Sequence, residues 1–301
     1  MSVTHSVFGH NAQQRVGYAH NVYIGSDRCE TFVFRGNLSI GTKSGHQVKS
    51  RCRNHFIRYN FLSDQDDGRA SYTIDLPEGG YSEVVGNLIP QGSNAENSGT
   101  LLRYGAEGKN PEMVLLLAHN TFVNDKHNTP AFVRTKGATK VVMRNKLFIG
   151  TGIPLETSSD PNLDSLGDLQ VEDGSELMDR LAYDYQLSSW ATAVDSGSPI
   201  QAPFSQLIPS LEYIPGGTRA RWDDGAPDVG AYGIGEPKDS GDSGNSGDSG
   251  NSGTDSDSVV GPVASDCTCT STSTTYGSHW LLLVGSIVLL RRRQSSGAPR
   301  S

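Results

Sequence analysis

Residues 82–92 read SEVVGNLIPQG, and the same phrase returns as TFVFRGNLSIG at 31–41, HFIRYNFLSD at 55–64, MVLLLAHNTFVND at 113–125 and KVVMRNKLFIGTG at 140–152. Each is a short apolar, β-prone run interrupted by an asparagine. The asparagines are Asn37, Asn60, Asn87, Asn120 and Asn145, with separations of 23, 27, 33 and 25 residues. Repeats of that length without helical periodicity are expected of the coils of a β-solenoid. Stacked amides each donate to and accept from the next coil, so an asparagine ladder at a turn satisfies polar groups that are costly to bury alone.

A second series keeps the same beat: HNVYIG from His20, HQVKSR from His46, SYTIDL from Ser71, TLLRYG from Thr100 and AFVRTK from Ala131. Each coil therefore has a first strand, a turn, a second strand ending at the asparagine, and a loop of variable length such as SDQDDGRA or QGSNAENSG. VTHSVFGHN at 3–11 aligns with LAHNTFVND at 117–125 and places Ser6 where Asn120 sits. The expectation is a chain that opens in mid-coil, with an upstream cap and export signal preceding it.

Composition agrees with strands and turns. Glycine supplies 35 of 301 residues, about 12% against the usual ~7%. The net charge of −8 is uneven, with 17 Lys/Arg against 12 Asp/Glu over 1–152 and 3 against 14 over 153–235. The basic first part suits a polyanion, and without a nucleic-acid motif the expected polyanion is not a nucleic acid. Four cysteines, Cys29, Cys52, Cys267 and Cys269, form neither a disulfide-rich framework nor paired CxxC zinc ligands.

From Ile153 the beat is lost in an acidic stretch, 153–235, that contains VDSGSP and PDVGAYG. This closing part resembles that of secreted bacterial right-handed parallel β-helix proteins of the pectate-lyase-like type. Asp195, Gly197 and Pro199 match a D-x-G-x-P stretch, and Pro227, Asp228, Gly230, Ala231 and Tyr232 match a terminal PD-x-GAY motif. Gly233 stands where an acidic residue is usual. The resemblance covers roughly residues 1–235 and implies an all-β, right-handed parallel β-helix. It does not specify an activity.

Residues 236–279 are a low-complexity Asp/Ser/Gly/Asn linker, expected to be disordered, that carries the Cys267 and Cys269 motif. Residues 280–301 hold the apolar run WLLLVGSIVLL, expected as a short helix, and Arg291, Arg292 and Arg293. Eleven residues rise only about 16 Å as a helix, against a ~30 Å hydrocarbon core. As a set these features resemble the tripartite C-terminal sorting signals of myxobacterial surface proteins. The resemblance implies a cell-surface, membrane-anchored protein with processing or lipidation at Cys267 or Cys269, and the arginines inside.

Strand alternation with Val22, Val48, Ile74, Leu102 and Val133 inward turns Tyr23, Lys49, Asp75, Arg103 and Arg134 outward in one stripe. Asn21, Gln47, Thr73 and Phe132 are expected to flank it, with Arg51, Glu78 and Glu107 in adjoining turns. Such a stripe suits an acidic polysaccharide. In a lyase-like or epimerase-like elimination, Lys49 and Arg51 act as carboxylate neutraliser and base, and Asp75 sets their charge or binds a metal. Tyr23, Gln47, Thr73, Arg103 and Arg134 then bind substrate. The alternative is a noncatalytic surface or adhesion protein with the solenoid as platform, its outward ions merely pairing along the stack.

DQDDG at 64–68 lacks the oxygen register of an EF-hand, so Ca²⁺ is a weak expectation, and the histidines lack zinc spacing. His20, His46 and His119 are expected to satisfy turn carbonyls. AEGKN at 106–110 lacks the first glycine and the hydroxyl of a phosphate loop, and no GxSxG, catalytic-cysteine or dinucleotide signature is present.

Overall fold

A computed structural model describes residues 1–11, 19–25, 28–96, 99–126, 128 and 130–235. The chain divides into units 1–243 and 244–301, and the second lies outside the described residues. So do the whole acidic linker, Cys267, Cys269, the apolar run and the arginine cluster. No helix among the described residues is long and apolar enough to cross a membrane.

The first unit is an all-β parallel solenoid with three strands per coil. The first sheet stacks Ser2–Thr4, Thr31–Arg35, Asn54–Arg58, Tyr81–Val85, Val114–Ala118, Lys140–Arg144 and Asn162–Leu166. The second stacks Val7–Gly9, Leu38–Ile40, Phe61–Ser63, Leu88–Gln91, Thr121–Asn124, Leu147–Ile149 and Leu169–Val171. The third stacks Val22–Ile24, His46–Ser50, Tyr72–Leu76, Leu102–Tyr104, Ala131–Thr135 and Ile153–Thr157. The residues after each asparagine thus form a sheet of their own, where the sequence pattern suggested only two strands per coil.

The corner between first and second sheets is one residue in the left-handed region followed by the ladder residue. His5, Gly36, Tyr59, Gly86, His119, Asn145 and Gly167 all have φ between 47° and 73°. Asparagine tolerates that conformation better than most side chains. This explains one correction: Asn145 fills the corner position and not the ladder. The register pairs Ala118 with Arg144 and Thr121 with Leu147, so Lys146 stacks on Asn120.

The true ladder runs Asn37, Asn60, Asn87 and Asn120. Each Nδ2 donates to the next Oδ1 at 3.0, 2.8 and 3.0 Å in turn. The same Oδ1 atoms accept the backbone N–H of the preceding ladder residue at 2.9, 3.0 and 3.0 Å. The remaining Nδ2 proton goes to a strand carbonyl, as from Asn60 to Phe34 at 2.9 Å and from Asn120 to Val84 at 2.7 Å. At the lower end Ser6 occupies the aligned position, its N–H bound to Asn37 Oδ1 at 3.0 Å. At the upper end an ion pair replaces the amides. Asp168 Oδ1 accepts from Lys146 N at 2.9 Å and from Lys146 Nζ at 2.7 Å.

That exchange hid a coil. Ile153–Thr157, Asn162–Leu166 and Leu169–Val171 continue all three sheets past residue 152, with no asparagine in the ladder to announce them. Inside, Phe32, Phe34, Ile57, Leu62, Ile74, Phe122, Phe132 and Phe148 are fully buried. The stacked rings of Phe122 and Phe148 have centroids 5.3 Å apart.

Residues 172–235 fold back along the outer faces of the first and second sheets, where Leu88, Val123, Leu147, Leu187, Tyr213 and Val229 share a second core. The two motifs noted in this segment bind each other: Gly197 N donates to Pro227 O at 2.7 Å and Asp195 N to Asp228 Oδ1 at 2.8 Å. Both then seat on the Asn145 corner, through Ser198 N to Asn145 Oδ1 at 2.8 Å and Gly230 N to Asn145 O at 2.8 Å. A Cβ on Gly230 would lie 2.7 Å from Thr121 Oγ1, so this close approach requires glycine. Cys29 and Cys52, from successive coils, form a disulfide with Cα atoms 4.5 Å apart, a link the cysteine count did not suggest.

Asn87→Ala deletes the acceptor of both the Asn60 amide and the Asn60 N–H. Two buried donors left unpaired are expected to lower unfolding free energy by about 2–4 kcal/mol in urea titration. Asn54→Ala, at a partly exposed strand start, is expected to change it by less than about 0.5 kcal/mol.

Candidate functional site

The third sheet carries the stripe in the expected register: Tyr23, Lys49, Asp75, Arg103, Arg134 and then Glu156 lie side by side on successive strands. Val22, Val48, Ile74, Leu102 and Val133 point into the core beneath. The side chains are not equivalent. Tyr23 is 46% exposed, whereas Asp75 is 3% exposed and sealed by its neighbours.

Asp75 Oδ2 accepts from Lys49 Nζ at 2.8 Å and from His46 Nε2 at 3.2 Å. Burial works against its charge, but the His46 hydrogen bond and the Lys49 ion pair hold its carboxyl below the usual range. Lys49 Nζ also lies 6.0 Å from the centre of the Tyr23 ring. Arg103 sits 5.2 Å over the Tyr72 ring and donates to its hydroxyl at 2.8 Å. Arg134 pairs with Glu156 at 2.6 Å.

Arg51, Glu78 and Glu107 do come together. Arg51 donates to Glu107 Oε1 at 2.7 Å, to Glu78 Oε1 at 3.0 Å and to Tyr23 Oη at 3.2 Å. The Glu107 hydrogen bond is the largest influence, and with Tyr23 and Glu78 it holds the guanidinium above even its usual basic range, despite desolvation. A group so held is a fixed cation and not a base.

Two assigned binding residues do not reach this face. Gln47 and Thr73 are 0% and 1% exposed, and Asn21 and Phe132, expected beside them, are also buried. Strict alternation fails because Thr73 N and Ile74 N both donate to Leu101 O, at 2.9 and 3.0 Å, the mark of a bulge. Two successive residues then turn inward. Gln47 becomes part of a second internal polar stack, accepting from Asn21 Nδ2 at 2.7 Å and donating to Asp64 Oδ1 at 2.9 Å.

Beside the stripe stands a column of rings that the sequence reading missed. His20 and His46 stack with centroids 4.8 Å apart, and His46 and Tyr72 at 5.1 Å. Each histidine Nδ1 accepts the backbone N–H of the next coil, from His46 N at 3.0 Å and from Tyr72 N at 3.1 Å. The proton therefore sits on Nε2, which in His46 donates to Asp75. The expectation that these rings satisfy turn carbonyls is corrected: they take backbone N–H groups. His119 Nε2 instead meets Asn145 Nδ2 at 3.1 Å. The recurring His20 and His46, 26 residues apart, were the available signal.

The carboxylates of the 64–68 loop are separated by their partners. Asp64 is buried against Gln47 and Ala70 N, and Asp67 pairs with Lys43. Among the described residues no group of three His, Cys, Asp or Glu is placed to hold a metal. No protein-family model, curated protein or solved structure matches the chain.

Burial lowers the buried imidazoles: His55 falls to about 3, between Ser82 Oγ at 2.9 Å and Ser50 Oγ at 3.1 Å, and His119 falls well below its usual value. The unfolded chain therefore binds protons that the folded one refuses, and stability is lost as pH falls below about 6.5, by about 1.4 kcal/mol per unit for each fully refused proton. Asp64 acts oppositely, since burial pushes it up to about 6 and the folded state gains a proton first. Urea midpoints measured from pH 7 to 4 are expected to fall, and His55→Gln is expected to flatten that slope.

Proposed function

We propose that the solenoid is a noncatalytic platform that binds an acidic polysaccharide along the third-sheet stripe, outside the cell. The observation that carries the binding is the register itself. Asp75 is sealed beneath Lys49, so solvent meets Tyr23 and Lys49 on adjacent coils and then, one coil skipped, Arg103 and Arg134 on adjacent coils, the coils being about 4.8 Å apart. Cations at such spacing suit a linear polyanion, and the partly exposed Tyr23 ring offers a face for a sugar.

The same geometry argues against elimination. Arg51 is locked by Glu78 and Glu107, and Lys49 is committed to Asp75. Asp75 is held ionised, so it supplies no proton to a leaving oxygen. The lyase-like roles for Lys49, Arg51 and Asp75 have no free base or acid among them.

The Cys29–Cys52 disulfide supports an oxidising compartment. With the acidic spacer, the apolar run and the arginine cluster, it supports display at a cell surface through a C-terminal membrane anchor. Cys267 or Cys269 is then the processing or lipidation site. A mature chain ending near Cys267 by intact mass is the expected sign, and an intact arginine-rich terminus in membranes would remove that part of the proposal.

Alginate, pectate and glycosaminoglycans are the probes. At least one is expected to bind without any rise in ultraviolet absorbance from unsaturated uronates, and the Lys49→Ala, Arg103→Ala double substitution is expected to weaken it about tenfold or more. Salt should weaken it too. Absence of binding across the panel would overturn the binding reading, and absorbance that disappears in Lys49→Ala would restore the lyase.

A further inference from the structure

The stripe of the third sheet carries several ionic side chains, but most of their charge is cancelled from one coil to the next. Lys49 pairs with Asp75 on the following coil at 2.8 Å, and Arg134 with Glu156 on the coil after its own at 2.6 Å. Arg103 stands between these two neutral pairs, in register with Asp75 on one side and Arg134 on the other. Asp75 does not answer it, because Asp75 Oδ2 is taken by Lys49 and by His46. Among the described residues no carboxylate lies within ion-pair distance of Arg103, which is therefore the stripe's one uncancelled charge. Lys136 is also exposed, but it belongs to the turn after Ala131–Thr135, off the register of the stripe.

The Arg103 charge is also held in place. His20, His46, Tyr72 and Arg103 follow one another from coil to coil, the rings 4.8 and 5.1 Å apart and the guanidinium carbon 5.2 Å from the centre of the Tyr72 ring. A hydrogen bond to the Tyr72 hydroxyl at 2.8 Å uses one of the guanidinium's five donors, and the others remain for a ligand. The side chain is half-buried, so little ordering is left for binding to impose.

We propose that the stripe binds an acidic polysaccharide in which uronates are separated by neutral sugars, with one carboxylate on Arg103 and the neutral sugars along the coils toward Tyr23. This rests on the reading of the third sheet as a glycan-binding face, and narrows it. A polymer charged at every sugar would bring further carboxylates over the Lys49–Asp75 and Arg134–Glu156 pairs, where each loses water without a free counter-charge to replace it. Hydroxyls of a neutral sugar accept instead from the Lys49 ammonium, which spends one of its three protons on Asp75. Tyr23 lies three strand spacings from Arg103, roughly 14 Å, and its 46% exposed ring offers a face to the sugar at the far end of that span.

The test uses the full chain and titration calorimetry. The probes are fragments of hyaluronan, in which glucuronate alternates with N-acetylglucosamine, fragments of alginate and pectate of the same length, and hyaluronan fragments whose carboxylates have been reduced to alcohols. Hyaluronan is expected to bind about tenfold more tightly than either polyuronate. Carboxyl reduction is expected to weaken binding about tenfold to the native protein and to Lys49→Ala, and to make no further difference to Arg103→Ala, because substitution and reduction remove the two halves of one interaction. Equal affinity of Arg103→Ala and the native protein for the reduced polymer shows that the variant is folded. Arg103→Gln, which keeps a donor for the Tyr72 hydroxyl, carries the same expectation should Arg103→Ala unfold. Failure of every polymer to bind would overturn the glycan-binding face and this proposal with it. Tighter binding of a polyuronate, or a loss on carboxyl reduction that persists without Arg103, would leave the glycan-binding face standing and overturn the charge spacing assigned to its ligand.

Discussion

The amide stack from Asn37 to Asn120 is the constraint on which the other features rest. A solenoid coil has little to fix its register, because each coil touches only its neighbours and parallel strands can slip. The stack removes that freedom. Each Oδ1 takes one side-chain and one backbone proton from the coil before, so a one-residue slip would leave both donors unpaired inside the protein. The corner residue beside each asparagine takes the left-handed conformation, which turns the chain from the first sheet into the second without a loop. Core packing then follows, with Phe122 over Phe148 and Val48 beside Ile74.

Most of this was legible because it repeats. The five asparagine phrases and the five accompanying strands revealed the coils as far as residue 152 and the register of the third sheet, and Ser6 fell on the ladder as alignment indicated. What escaped did so for identifiable reasons. Asn145 looked like a rung because asparagine suits both the ladder and the left-handed corner, and only the neighbouring strands decide between them. The last coil was concealed because Lys146 and Asp168 perform with an ion pair what two amides perform elsewhere. The disulfide, by contrast, had a signal: Cys29 and Cys52 are 23 residues apart, the same step as Asn37 to Asn60, which stacks them one coil above the other.

The candidate site was legible as a column and not as chemistry. Alternation correctly aligned Tyr23, Lys49, Asp75, Arg103 and Arg134, but no rule of period two includes a bulge at residues 73 and 74. Gln47 and Thr73 lie inward, and His20, His46 and Tyr72 stack beside the stripe. Nor does spacing reveal which ions are already paired. The charge imbalance between the two halves of the chain is likewise partly spent internally. Arg180 reaches Asp125 across the fold-back, and Lys140 and Arg144 lie 4.8 and 5.3 Å over the Phe204 ring. A basic stretch in sequence is therefore not the same as a basic surface.

The proposed binding stripe is a consequence of the same ladder. A column such as Tyr23 to Arg134 exists only if successive coils stay in step, and its spacing is the strand spacing. Loop length is free to vary where it does not disturb the rungs, as the unequal intervals between the asparagines show. The interior amides therefore divide the molecule into a part that must repeat and a part that need not. A periodic ligand fits the first.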